Sequence, residues 1–141
     1  MNLARAIEIA VLAHAGQTDK NGLPYILHPL RVMFALEGSE AQIVGVLHDV
    51  VEDGPGWTID RLRAEGFSDA VLRAVTSVTR DTDAEDYAAF VARAAADPIG
   101  RLVKRADLLD NLNAARLAVV TAEDAARLNR YLAALAALNR A

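Results

Sequence analysis

Gly45-Val-Leu-His-Asp-Val-Val-Glu-Asp-Gly54 sets four ionisable side chains into an aliphatic segment, and the rest of the chain is read outward from it. Taken as an α-helix at about 100° per residue, His48, Asp49, Glu52 and Asp53 fall within an arc of roughly 140°. His48 and Asp49 then each have a carboxylate one turn ahead. Three negative charges and an imidazole on an apolar helix are costly to bury unless a positive charge sits among them. A divalent metal would supply that charge, and a hydrolytic centre would use it.

Apolar residues elsewhere recur at spacings of three and four, alanine and leucine dominate, and β-branched runs are short, so the expected fold is all-α. A first helix is expected from Asn2 to about Ala15, with Leu3, Ile7, Ala10 and His14 on one face, followed by a loop over 16–24 marked by Asn21-Gly22 and Pro24. Pro29 opens a second helix ending near Gly38, and Ser39 with Gln42 reads as a capping box for a third that runs to Asp53. Thr58 and Ser68 cap two more, the second reaching about Arg80. An acidic entry over 81–86 leads into a helix ending at Ala96, and Asp97-Pro98 opens the longest pattern, to about Val119. Thr121 and Asp124 open the last helix, whose Leu128, Tyr131, Leu135 and Leu138 share one side that suits core packing. The apolar tail also permits a homodimer.

A chain of 141 residues with no linker or repeat reads as a single domain over 1–141. It contains no cysteine, which excludes thiolate zinc sites, iron–sulfur clusters and cysteine nucleophiles and fits a reducing compartment. The net charge is −4 and the longest basic run is Lys104-Arg105, so general nucleic-acid binding is not expected. Arg5 and Glu8 interrupt the first apolar stretch, and no apolar run approaches the roughly 20 residues of a membrane span. A cytoplasmic protein without a membrane partner is the expectation.

Two further groups can complete a metal site. His28 stands just before Pro29 at an expected helix start, a place where histidine is ordinarily a cap or turn residue. Lys104, Asp107 and Asn111 share a helix face that would usually be solvated, but Leu108 and Leu112 bring it near the buried side. Two imidazoles and two aspartates make a mixed nitrogen and oxygen set suited to manganese, ferrous iron or zinc. Such an ion lowers the pKa of a bound water, and Glu52 or Asp53 beside that water would take its proton.

With these segments in view the chain resembles the HD-domain metal-dependent phosphohydrolases, specifically the hydrolase half of the RelA/SpoT alarmone enzymes and their small stand-alone relatives. The resemblance spans about residues 9–113 and rests on Ala13-His-Ala-Gly-Gln17, Gly22-Leu-Pro-Tyr-Ile-Leu-His-Pro29, His48-Asp-Val-Val-Glu-Asp53 and Lys104-Arg-Ala-Asp107 with Asn111. It implies an all-α helical bundle with the metal site between helices, and metal ligands at His28, His48, Asp49 and Asp107. It also implies manganese as the usual ion and Glu52 with Asp53 as the catalytic pair. The implied reaction releases pyrophosphate from the 3′ position of guanosine tetra- and pentaphosphate, in the stringent response.

This chain departs from the family at the substrate. Asp19 stands where the family has a nucleotide-contacting arginine, leaving Lys20 as the nearest cation, and Asp107-Leu-Leu-Asp-Asn111 replaces a run that carries an arginine and a histidine. Lys20, Tyr25, Lys104 and Asn111 are the candidate substrate contacts, Lys104 through its shared face with Asp107. Tyr25 either stacks on a base or packs. Arg80 either grips phosphate or complements a helix end, His14 reads as a core or supporting histidine, and Trp57 as an apolar plug. The alternatives are the same chemistry on another nucleotide or phosphate ester, and a non-catalytic sensor that binds metal and nucleotide.

Overall fold

The computed structural model describes residues 1–141. Nine α-helices make up the fold: α1 Leu3–Ala13, α2 Leu27–Phe34, α3 Ser39–Leu47, α4 Val50–Asp53, α5 Ile59–Glu65, α6 Asp69–Ser77, α7 Tyr87–Ala96, α8 Pro98–Asn111 and α9 Ala122–Arg140. A one-turn 3₁₀ helix, Ala114–Arg116, lies between the last two. No helix is long and apolar enough to cross a membrane.

The pivot is α3. Ala41, Ile43, Val44, Gly45, Val46 and Leu47 are all buried, because α3 is packed by α1, α2, α6 and α8. A helix apolar on every side belongs in the middle of a bundle, and each fully buried aliphatic on it contributes about 1.5–3 kcal/mol. Gly45 permits the close approach of α2: a Cβ there would stand 2.7 Å from Leu36 Cδ1 and 3.4 Å from Met33 Cα. The main core gathers 24 buried residues, and a smaller cluster of Val91, Leu108, Ala134 and Leu138 fastens α9 to α7 and α8. Trp57 is buried in the main core, as its isolation after a Gly-Pro-Gly turn suggested.

Side-chain caps account for several boundaries, those at Thr58, Ser68 and Thr121 as read from sequence. Asn2, Thr58, Ser68 and Asp86 each accept from the backbone N–H three residues on. Thr121 and Asp124 form a reciprocal capping box. Ser39 does not cap. Gly38, at φ +90°, supplies the N-cap of α3, and the Gln42 amide donates to the Leu36 carbonyl at 3.1 Å instead.

Four further boundaries or faces differ from expectation. The helix expected over 39–53 breaks at His48-Asp49, where Asp49 adopts φ −104° and ψ 0°. His48 Nδ1 donates at 2.6 Å to the Gly45 carbonyl, the group a continuous helix would offer to the Asp49 N–H. The second helix begins at Leu27, so His28 lies inside its first turn, where Pro29 is tolerated because its missing N–H has no intrahelical role. The helix expected to reach Val119 stops at Asn111; the Asn113 side chain caps the 3₁₀ turn, and Arg116 Nη2 reaches back to the Asp110 carbonyl at 2.5 Å. The buried face of α1 is Ala6, Ile9, Ala10 and Ala13, rotated from the expected one.

Candidate metal centre and substrate cleft

Three helical segments deliver the centre. His28 comes from the first turn of α2, His48 and Asp49 from the break between α3 and α4, and Asp107 from the last turn but one of α8. His28 Nε2 lies 2.9 Å from Asp107 Oδ1 and 3.8 Å from Asp49 Oδ2. His48 Nε2 lies 3.0 Å from Asp49 Oδ2 and 3.5 Å from Asp107 Oδ1. The four residues named from sequence therefore meet at one point, and His28, His48 and Asp107 are buried.

The surroundings orient each group. Tyr25 donates its hydroxyl to Asp49 Oδ2 at 2.5 Å, Lys104 Nζ donates to Asp107 Oδ2 at 3.1 Å, and Asn111 Nδ2 donates to Asp107 Oδ1 at 3.1 Å. Lys104 is itself buried, with its ammonium 4.7 Å from the centre of the Phe90 ring and 5.4 Å from that of Tyr87. Its face of α8 is thus interior rather than solvated. Burial works against the charged form of His48, but the Asp49 and Asp107 carboxylates together outweigh it and hold the imidazole well above its ordinary pKa. Burial likewise opposes ionisation of Asp107, but the Lys104 ammonium and the two imidazoles hold it well below the usual carboxylate range.

Does this donor set fit a divalent metal? The decisive atom is His48 Nε2, which is buried and makes no hydrogen bond, although two carboxylate oxygens lie close by. A buried polar atom without a partner is costly, and a divalent cation could replace the proton that the two carboxylates favour and take up the Nε2 lone pair. Its Nδ1 is committed to a backbone carbonyl, the arrangement that leaves Nε2 free to ligate. One ligand atom each from His28, His48 and Asp49 lies within a 4.8 Å cluster, and one each from Asp49, Glu52 and Asp53 does so as well. The residues fit a first-row divalent ion, and the acidic pair stands immediately beside it.

Glu52 and Asp53 are exposed, and Glu52 Oε1 accepts from the Arg80 N–H at 3.0 Å. The Arg80 backbone, not its guanidinium, thus meets the acidic pair. Partial burial raises the pKa of both carboxyls, and the Asp49 charge adds to it. Each is drawn toward its protonated form, which suits a group that must accept a proton. Gln17 holds this corner by donating to the Asp53 carbonyl at 2.8 Å, and its Oε1 meets His14 Nδ1 at 2.8 Å. His14 is buried beside Gln17, with its ring 5.0 Å from that of Tyr25.

Beside the centre opens a cleft of about 340 Å³, the size of a small-molecule site. Lys20, Tyr25 and Asn111, named from sequence, line it, while Lys104 does not. Tyr25 thus touches both cleft and centre. Asp19 also lines the cleft, but its Oδ1 accepts from the Asn21 and Leu23 N–H groups and so builds the loop. Arg31, Arg116 and Arg127 complete a cationic wall that the sequence reading missed. A local signal existed for one of them: Arg31 is three residues beyond His28 and so shares its helix face.

A helical bundle with a histidine–aspartate centre at its middle defines an HD-type domain. No protein-family model matches the chain. It is 35% identical over 121 residues to the guanosine-3′,5′-bis(diphosphate) 3′-pyrophosphohydrolase of Aquifex aeolicus, across 78% of this chain and 17% of that protein. It is 35% identical over 124 residues to a probable GTP pyrophosphokinase of Mycobacterium leprae, across 79% of this chain and 16% of that protein. The chain therefore spans about a sixth of the length of these relatives. Among solved structures it superposes on a metazoan SpoT ortholog, described as hydrolysing ppGpp, with TM-score 0.78 and 22% identity over 96% of this chain and 84% of that one. In sequence the chain is similar to part of these alarmone enzymes, and in fold to the SpoT ortholog.

Proposed function

We propose that residues 1–141 form one hydrolase domain that removes pyrophosphate from the 3′ side of guanosine tetra- or pentaphosphate, with a divalent first-row metal, manganese being the favoured ion. The observation that carries this reading is the convergence of His28, His48, Asp49 and Asp107 from three segments, with an acidic pair one turn beyond. The names of relatives such as the Aquifex aeolicus pyrophosphohydrolase support the choice of substrate.

When bound, such an ion would neutralise phosphoryl oxygens and lower the pKa of water at the centre. The chain's own residues supply the rest. Glu52 or Asp53 accepts a proton from the attacking water, whose oxygen joins phosphorus as the bond to the 3′ oxygen breaks, and the protonated carboxyl then returns that proton to the departing 3′ oxygen. Lys104 steadies Asp107 and adds positive charge near the phosphates. Asn111 and Tyr25 hold carboxylates of the centre while facing the cleft, and Lys20 supplies the cation that Asp19 does not. The domain is read as cytoplasmic, with a small nucleotide as its ligand, and its apolar tail leaves room for a homodimer.

The reading is tested by incubating the protein with guanosine tetraphosphate and manganese and following pyrophosphate and nucleoside diphosphate release beside a panel of other nucleotides. Alarmone turnover that disappears in Asp49→Ala supports it. Turnover confined to other phosphate esters transfers the chemistry to a different substrate, and nucleotide binding without turnover, unaffected by Glu52→Ala, identifies a sensor.

A further inference from the structure

We infer that Asp110 is a positioning residue that sets the metal affinity of the centre through His28. The inference rests on the metal centre proposed above, and it concerns the far side of the imidazole. Asp110 Oδ2 lies 2.6 Å from His28 Nδ1, while His28 Nε2 faces Asp107 and Asp49. A carboxylate on Nδ1 fixes the ring orientation, keeps a proton on that nitrogen and leaves Nε2 to the cation; it also makes the ring a stronger donor.

The carboxylate is itself clamped. Arg31 places Nε 2.8 Å from Oδ1 and Nη2 3.1 Å from Oδ2, a two-pronged fork, and Arg116 Nη1 stands 3.5 Å from Oδ1. Arg116 Nη2 also donates to the Asp110 carbonyl at 2.5 Å, so side chain and backbone are both held. The Asp110 side chain is only 12% exposed, and the planar fork leaves it little freedom to turn away from His28. Asp107 and Asp110 are three residues apart on α8, so one helix face supplies both the carboxylate of the centre and the one behind its histidine. Arg31 and Arg116 line the cleft, which puts the outermost members of this chain of contacts within reach of a bound anion.

Metal affinity without nucleotide is the direct test. Manganese or zinc is titrated into wild type, Asp110→Asn and Asp110→Ala in competition with a chromophoric chelator. The expected result is a dissociation constant raised 10- to 100-fold in Asp110→Ala, with Asp110→Asn in between. Asp110→Asn keeps the shape of the side chain, so it decides the matter if Asp110→Ala fails to fold. In the zinc-loaded protein, the His28 Nδ1 proton should give a protected, low-field NMR resonance that moves or broadens in Asp110→Asn. A merely structural role would leave that resonance and the affinity in place. Variants that bind within twofold of wild type overturn the role of Asp110 alone, whereas a wild type that binds neither ion overturns the centre and Asp110 together.

Discussion

His48 Nδ1 donates to the Gly45 carbonyl at 2.6 Å, and this one bond has two consequences. It takes the acceptor that a continuing helix would need, so the chain turns between α3 and α4. It also decides which ring nitrogen faces Asp49 and Asp107.

If His48 Nε2 ligates a metal, loading should stabilise the protein by about 2.7 kcal/mol at an ion concentration 100 times the dissociation constant. Thermal melts with manganese, then with excess chelator, measure this directly. His48→Ala should melt at the same temperature in both conditions. A metal-dependent shift retained in that variant would falsify the assignment.

Lys104 balances Asp107 in the interior at 3.1 Å. Lys104→Met removes one partner of a buried pair and should cost about 3 kcal/mol in urea unfolding of the metal-free protein. With manganese present the cost should shrink, because a cation again compensates Asp107. An equal cost in both conditions would detach Lys104 from the centre.

Glu52→Gln and Asp53→Asn test the acidic pair. Whichever carboxylate accepts the proton of the attacking water should lose 10²-fold or more in kcat on replacement, with manganese affinity close to wild type. Loss of metal binding in step with loss of rate would instead make that residue a ligand.

Acid sensitivity is expected at α9. The Thr121 backbone N–H at 2.9 Å, the Arg127 guanidinium at 2.7 Å and the Thr121 hydroxyl hold Asp124 down to about 2. Its folded pKa is depressed, so its contribution is fully present above an unfolded value of about 3.9 and is lost as pH falls toward about 2. Asp124→Ala should lower the thermal midpoint at pH 7, by an amount that shrinks as pH falls through about 2. A pH-independent difference between variant and wild type would show that the box does not govern the tail.

The sequence by itself determined the all-helical character, the N-caps at Thr58, Ser68 and Thr121, and the residue types able to form a centre. Helical periodicity and capping act within four residues, so a linear reading detects them. His28 and Asp107 were named by pattern and resemblance; their meeting at 2.9 Å follows only from α2 and α8 packing on α3. The folded structure decided the break at His48-Asp49 and the end of α8 at Asn111, and tertiary packing alone decided the Arg31–Asp110 contact behind His28. Each depends on where a side chain finds its partner, and for Arg31 and Asp110 that partner lies on another helix, beyond the range of any local pattern.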